Sequence, residues 1–316
     1  MKHRLTRLAA WIRDLAVLLL GTTTVLFFLL RLTGDPALVL AGPDATEAQI
    51  EAIRAEYGLD RSLPRQYLAY LGSIVRLDFG TSLADRSPAL EKVLIALPAS
   101  LLLGGLAMLL VLAIAVPTGT WLGARPGGGA RAFTRWFLFV LHGFPGFVIA
   151  LLLVHVFAIE LVWLPALGSS GVASWILPTV SVATFLAPKL IRLIEANVAA
   201  AMDSAYVRTA RAIGASEAEV LWRHAMPNAL LGATALVGAQ FAFLVTGLVI
   251  IETIFAWPGI GWLLVQSTVS LDFPVVQAIT AVVVVNVYLV NTLTELAQRR
   301  LDPRLRHREA LAGEGP

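Results

Sequence analysis

Cysteine is missing from all 316 residues, and lysine nearly so, with only Lys2, Lys92 and Lys189. Without thiols the chain has no disulfide, no thiolate metal site and no cysteine nucleophile. None of the lysines follows a glycine, which excludes Gly-x4-Gly-Lys-Ser/Thr, the loop whose backbone amides and lysine cradle nucleotide phosphates. Gly127-Gly128-Gly129 has no strand before it and belongs to a tight turn between apolar segments. Charge is also scarce, at 14% of residues, against about a quarter in a soluble domain. The arginines sit at the ends of apolar stretches instead of forming a basic face with interleaved aromatics, so nucleic acid is excluded as a partner. No His-x3-His spacing supports a metal site.

What is abundant is apolar. Hydrophobic residues make up 58% and the mean hydropathy is +0.78, so lipid solvates most of the chain. At about 20 residues per span, the length allows six or seven spans plus loops. Stretches free of Asp, Glu, Lys and Arg run over 15–30, 93–124, 136–159, 161–188, 224–251, 253–271 and 273–294. The first follows Lys2, Arg4, Arg7 and Arg13 and is too long for the apolar core of a secretory signal, so it is expected to remain as an uncleaved first span. The sixth contains Trp257-Pro258-Gly259-Ile260-Gly261-Trp262. Such a Pro-Gly interruption is expected to be a loop or a re-entrant segment shielded by protein, because irregular backbone is not tolerated against lipid.

Charge asymmetry leads to the same count. With six spans, the N-terminus, the 125–135 loop, the 189–223 loop and the C-terminal tail share one side and hold 17 of the 24 Lys and Arg residues. The short loops opposite hold none and carry Glu160, Glu252 and Asp272. Six spans with both ends cytoplasmic satisfy the positive-inside rule. The expected organisation is a tail, first span and extracytoplasmic helical segment over 1–92, a five-span core over 93–300, and a cytoplasmic tail over 301–316.

Two polar segments still read as ordered. In 32–92, Thr46-x-x-Gln49 is a capping box opening a short helix that stops at Tyr57-Gly58. Pro64 then opens a second helix with Tyr67, Leu68, Leu71, Ile74 and Val75 on one face. In the loop 195–227, Asp203 is expected to cap a helix reaching Ile213, Gly214 breaks it, and Ser216-x-x-Glu219 opens another that ends before Pro227.

Intramembrane polar residues mark functional candidates by default. His155 falls inside the third span, where proton relay or ligand contact competes with a neutral histidine at a helix interface. Asn286 and Asn291 in the last span are either interhelical hydrogen-bond partners or part of a polar pathway. Glu252, beside the Pro-Gly segment, is either a solvated interfacial charge or a vestibule residue. His155, Glu252 and Asn286 are therefore the candidate translocation-pathway residues. No catalytic constellation and no metal-ligating set is present.

Three separated stretches resemble a known family. They are Arg31-Leu32-Thr33-Gly34-Asp35-Pro36, followed by Tyr57-Gly58-Leu59-Asp60 and Leu77-Asp78-Phe79-Gly80-Thr81-Ser82; then Tyr206 to Ala215 with His224 to Leu230; then Glu252 to Gly261 with Asp272 to Gln277 and Leu301-Asp302-Pro303-Arg304. The chain resembles the permease subunits of bacterial binding-protein-dependent ABC importers, in the dipeptide, oligopeptide and nickel branch. The resemblance implies an all-α integral membrane protein of six transmembrane helices with the type I ABC importer permease fold, a long extracytoplasmic segment after the first span and a cytoplasmic coupling-helix loop. It implies a non-catalytic inner-membrane subunit that forms half of a peptide pathway by alternating access. It also implies that no cofactor is bound here, ATP and Mg being bound by partner subunits. The implied partners are a second homologous permease in a heterodimer, two ATPase subunits, an extracytoplasmic solute-binding protein and membrane lipid. Tyr206, Arg208, Ala210, Gly214 and Ala215 would couple to the ATPase, Tyr206 as an aromatic anchor and the two alanines by letting a partner surface approach. Arg208 stands where many importers carry Glu, and its Arg-Thr-Ala run fits the peptide branch.

Nickel or a metal chelate is the alternative cargo. A stand-alone secondary transporter or channel would need an inverted repeat and charged midplane helices, and an intramembrane enzyme would need a second catalytic group beside His155; neither is found in the sequence.

Overall fold

A computed structural model describes residues 2–301 except 34–35, 43–44, 57 and 126. Gly34, Asp35, Tyr57, Asp302, Pro303 and the arginines at 304, 306 and 308 lie outside the described residues. Among those described the chain is almost wholly helical: α1 (Lys2–Thr33), α2 (Pro36–Ala41), α3 (Glu47–Glu56), α4 (Leu63–Val75), α5 (Ala89–Ala124), α6 (Gly129–Gly143), α7 (Gly146–Leu153), α8 (Ala173–Met202), α9 (Ala205–Ala212), α10 (Glu217–Glu219), α11 (Met226–Gly247), α12 (Val249–Ile254), α13 (Ile260–Val269) and α14 (Phe273–Leu301). π-Helical turns at Val154–Glu160 and Val220–Ala225 extend α7 and join α10 to α11.

Five described helices are long and apolar enough to cross a membrane: Ala9–Leu29 within α1, then Ala89–Ala124, Ala173–Met202, Glu217–Leu244 and Phe273–Arg300. A sixth candidate is a pair, Gly129–Gly143 and Gly146–Glu160, bent by 99°. The expected unbroken span over 136–159 is thus cut at Phe144-Pro145. Pro145 disfavours helical backbone at the residue before it, and Phe144 is accordingly extended, with φ −85° and ψ 134°. The Pro-Gly segment is no span of its own: α13 has 10 residues, about 15 Å at 1.5 Å per residue.

The chain forms two compact units, one of residues 1–100 and 258–288 and the other of residues 101–257 and 289–316. In the first, Phe79, Val93, Ile260, Val275 and Ile279 form a buried core on which Leu19 and Ile74 pack. The capping box at Thr46 is formed reciprocally: the Thr46 amide donates to Gln49 Oε1 at 2.9 Å and the Gln49 amide to Thr46 Oγ1 at 3.4 Å. Gly58, at φ +64°, ends α3, with the Leu59 amide bonded back to the Arg54 carbonyl at 2.8 Å. Helix α4 packs through part of the expected stripe, with Tyr70 added to it. Tyr67 bonds to Thr24 at 2.6 Å, Tyr70 stacks on Phe27 and Ile74 joins the core, whereas Leu68 and Val75 are exposed.

The second unit is built around α8, whose Leu190, Ile191, Ile194 and Val198 are buried. Its contact with α5 is set by Gly119 and Gly123, four residues apart. A Cβ at Gly119 would lie 2.8 Å from the Ile191 carbonyl oxygen, and one at Gly123 would lie 2.5 Å from that of Glu195. Small residues at this spacing let two backbones approach, the usual way helices associate in lipid. Arg135 ties α6 to this pair by donating to Glu195 at 2.6 Å and to the Leu122 carbonyl at 3.2 Å.

Candidate functional site

The polar loop expected to form a helix pair does so, with different boundaries. Asp203 ends α8 instead of capping α9; the N-terminal flanking residue is Ser204, whose hydroxyl donates back to the Ala201 carbonyl at 2.5 Å. Helix α9 closes at Gly214 in a left-handed turn (φ +93°). The Gly214 amide bonds to the Arg211 carbonyl at 3.0 Å and the Ala215 amide to the Ala210 carbonyl at 3.1 Å. This paired pattern is the Schellman motif. A Cβ at Gly214 would meet nothing within 4 Å, so the glycine serves backbone conformation and not a close helix contact.

Ser216 caps the second helix, accepting from the Glu219 amide at 3.2 Å. The Glu219 carboxylate turns forward to Arg223 at 3.2 Å instead of closing a full box. This helix does not end before Pro227. It continues through the π-helical turn at Val220–Ala225 into α11, because the wider turn accommodates a proline that lacks an amide donor and crowds the preceding turn. The second helix of the projection is therefore a rigid extension of a membrane-spanning helix. Arg211 fastens α9 to it with two bonds to the Glu217 carboxylate, at 2.8 and 3.2 Å.

Burial divides the predicted coupling residues. Tyr206 and Arg208 are exposed. Ala210 is 3% exposed and lies with Val207 on the inner side of α9; this is a correction, since a buried alanine offers no surface to a partner. Ala215 is half-buried as the far end of the Schellman motif. The sequence reasoning missed Ile213 and Trp222, which are 80% and 60% exposed. Large apolar side chains in a polar stretch between two spans were the available signal.

The three pathway candidates fall in different units, His155 and Glu252 in the second and Asn286 in the first. His155 lies in the π-helical end of the bent pair, its side chain 61% exposed and 3.6 Å from Glu160 Oε1. Glu252 is completely buried in α12, which excludes a solvated interfacial charge. Asn286 is half-buried in α14, and its Oδ1 is enclosed without a donor among the described residues.

A second polar cluster, in the first unit, went unnoticed in the sequence. Asp272, 1% exposed, accepts from the Ser82 hydroxyl at 2.5 Å and from the Leu83 amide at 3.0 Å. Lys92 donates to Ser82 at 3.2 Å and to Asp85 at 2.8 Å. Lys92, and then Ser87 through its hydroxyl and amide, hold the Asp85 carboxyl well below its ordinary value of 3.8. The cluster clasps loop 77–89 to the start of α14. Leu77 and Leu271, which deliver the two halves, both adopt left-handed backbone (φ +56° and +53°), a conformation leucine holds only where the surroundings impose it.

Residues 115–307 match the family described as the binding-protein-dependent transport system inner membrane component, and residues 5–103 match its N-terminal counterpart. The chain is 35% identical over 291 residues to the probable peptide ABC transporter permease protein y4tP of Sinorhizobium fredii, covering 89% of this chain and 93% of that one. It is 32% identical over 295 residues to the glutathione transport system permease protein GsiC of Pectobacterium atrosepticum, covering 92% and 95%. Among solved structures, the inward-facing MetNI methionine ABC transporter matches with a TM-score of 0.58 at 16% identity, over 67% of this chain and 96% of that chain. An amino acid ABC transporter with histidines matches with a TM-score of 0.53 at 18% identity, over 66% and 94%. The fold is that of a type I ABC importer permease.

Proposed function

This chain belongs to the family of inner membrane components of binding-protein-dependent transport systems, and on that premise we propose that its projection at 203–227 is the docking face for the ATPase that drives transport. As a family member the chain is a multi-pass, non-catalytic permease subunit of an ABC importer; ATP hydrolysis belongs to separate subunits. The finer assignment is ours. Both termini are cytoplasmic, the permease pairs with a second homologous chain, two ATPases bind ATP and Mg beneath the pair, and a solute-binding protein delivers cargo outside. That cargo is peptide, the class named for the relative that shares 35% identity with nearly the whole chain; the relative at 32% is named for glutathione, itself a tripeptide. His155 and Asn286 are separate pathway candidates; Glu252, being fully buried, would reach the pathway only in another conformational state.

The observation that carries the docking assignment is mechanical. Tyr206 and Ile213 are exposed on a helix pair locked by the Arg211–Glu217 bonds and continuous with a spanning helix. A push on the pair therefore moves the span as a rigid body. ATP binding would draw two such projections together and open the pathway outward, and hydrolysis would reset it.

The test is co-purification of the ATPase from membranes together with uptake of a labelled peptide. Tyr206→Asp with Ile213→Asp, and separately Gly214→Asp, are expected to insert normally and to lose both ATPase retention and uptake. Normal uptake by either variant removes the docking assignment.

A further inference from the structure

The 99° bend places α6 across the direction of the helix that follows it. With 15 residues it is only about 22 Å long, short of the roughly 20 residues a span needs. Phe133, Trp136, Phe137 and Phe139 are exposed along it, while Arg135 is held inward by Glu195 and the Leu122 carbonyl. Exposed aromatics on a basic amphipathic helix lying across a spanning direction describe a helix seated in the membrane interface.

A cleft of about 440 Å³ opens where α6 begins. Trp121 and Trp222 stand among its lining, with Pro117, Met202 and Leu221 supplying apolar surface and Arg125 and Arg131 the positive charge. Arg131 is fixed: its guanidinium lies 5.0 Å from the Trp121 ring centroid, Nε donates to the Trp121 carbonyl at 3.1 Å and Nη1 to the Gly127 carbonyl at 3.2 Å. Among the described residues neither Arg125 nor Arg131 has a carboxylate within ion-pair distance, and Nη2 of Arg131 makes no hydrogen bond. The one acidic residue of the cleft, Glu217, is engaged twice by Arg211. The cleft is thus net positive, partly preorganised and apolar along one side.

We propose that this cleft binds the phosphate headgroup of an anionic phospholipid, with an acyl chain leaving past Pro117 towards the membrane. The chemistry fits at both ends. Basic pockets between spanning helices hold anionic headgroups, and indole rings favour headgroup depth, where one edge is wet and the other apolar. The lipid would fill the angle between α6 and the base of the projection and brace the docking helix against the membrane. Lipid binding does not depend on the transport assignment; only the choice of the cytoplasmic leaflet rests on it.

Native mass spectrometry of the full chain, purified in mild detergent with whatever subunits accompany it, tests this. Phosphatidylglycerol and phosphatidylcholine with identical acyl chains are the probes. The wild type is expected to retain phosphatidylglycerol preferentially. Arg125→Gln, which removes no protein hydrogen bond, should lower that retention about fivefold, and adding Arg131→Gln should lower it about as much again; phosphatidylcholine retention should not change. Arg131→Lys, which keeps the charge, should fall between wild type and Arg131→Gln. Equal phosphatidylglycerol retention by wild type and both Gln variants overturns the proposal. Displacement of the lipid by millimolar inorganic phosphate overturns it in favour of a soluble anion. Unchanged lipid retention together with loss of the co-purifying ATPase overturns it in favour of a protein interface.

Discussion

Replacing Asp272 by Ala should release the 77–89 loop without unfolding the spans. In the native chain this buried carboxylate accepts from the Ser82 hydroxyl and the Leu83 amide. A hydrogen bond to a charged group contributes about 1.5–3 kcal/mol, and a buried donor left without an acceptor is penalised on a similar scale. Two such bonds are lost, offset by no longer burying a charge, so local opening should become easier by about 3 kcal/mol. Each 1.4 kcal/mol is tenfold, so the open population should rise on the order of 100-fold. Arg86 lies exposed within the loop, which makes tryptic cleavage after it a direct reporter, since slow proteolysis follows the equilibrium population of the open form. Ser82→Ala should give a smaller acceleration, and the double variant little more than Asp272→Ala alone, because both substitutions break the same bond. Cleavage of Asp272→Ala at the wild-type rate, or strictly additive effects in the double variant, would refute the clasp.

Gly123→Ala should force α5 and α8 apart, because the new methyl group would lie 2.5 Å from the Glu195 carbonyl oxygen and 2.9 Å from Val198 Cβ. Overpacking of this kind costs about 1–3 kcal/mol, visible as a lower thermal transition by tryptophan fluorescence in detergent; Gly105→Ala, with nothing within 4 Å of the added atom, should not shift it, and equal transitions for the two variants would count against close packing at Gly123. The Asp85 carboxyl titrates below its ordinary value of 3.8, so its pairing with Lys92 contributes fully above that pH and fades as pH falls below it. Peptic cleavage of the 77–89 loop should therefore accelerate between about pH 5 and pH 2 more than in Asp85→Asn, in which the pair is already broken; parallel pH profiles would exclude the linkage. Because Asp85 is half exposed, the effect should be modest.

Local chemistry was legible wherever one residue type carries the signal. Gly58 and Gly214 mark helix ends because glycine enters left-handed backbone freely, and both helices end there. Thr46 and Ser216 announce helix starts by a hydroxyl three residues before a Gln or Glu. Leu77, Ala256 and Leu271 occupy the same left-handed position without a glycine, so nothing in the local sequence marks them; their surroundings impose that conformation. The π-helical turns escaped for a similar reason. Pro227 reads as a stop, but the π-helical turn before it carries the helix through.

The sequence by itself determined the solvent, the family and the need for a motor supplied by another subunit. Those follow from apolar runs, charge asymmetry, the missing phosphate loop and residues matched in order along the chain, none of which requires knowing which side chains meet. Tertiary structure alone decided which of the predicted coupling residues face out, that Ala210 turns in while Ile213 and Trp222 do not, and that Asp272 finds Ser82 across 190 positions of chain. It also decided that Phe144-Pro145 turns an expected span through 99°. These outcomes depend on helix rotation and on long-range partners. A helical period places residues on a common face, but it does not say which face the neighbouring helices will cover.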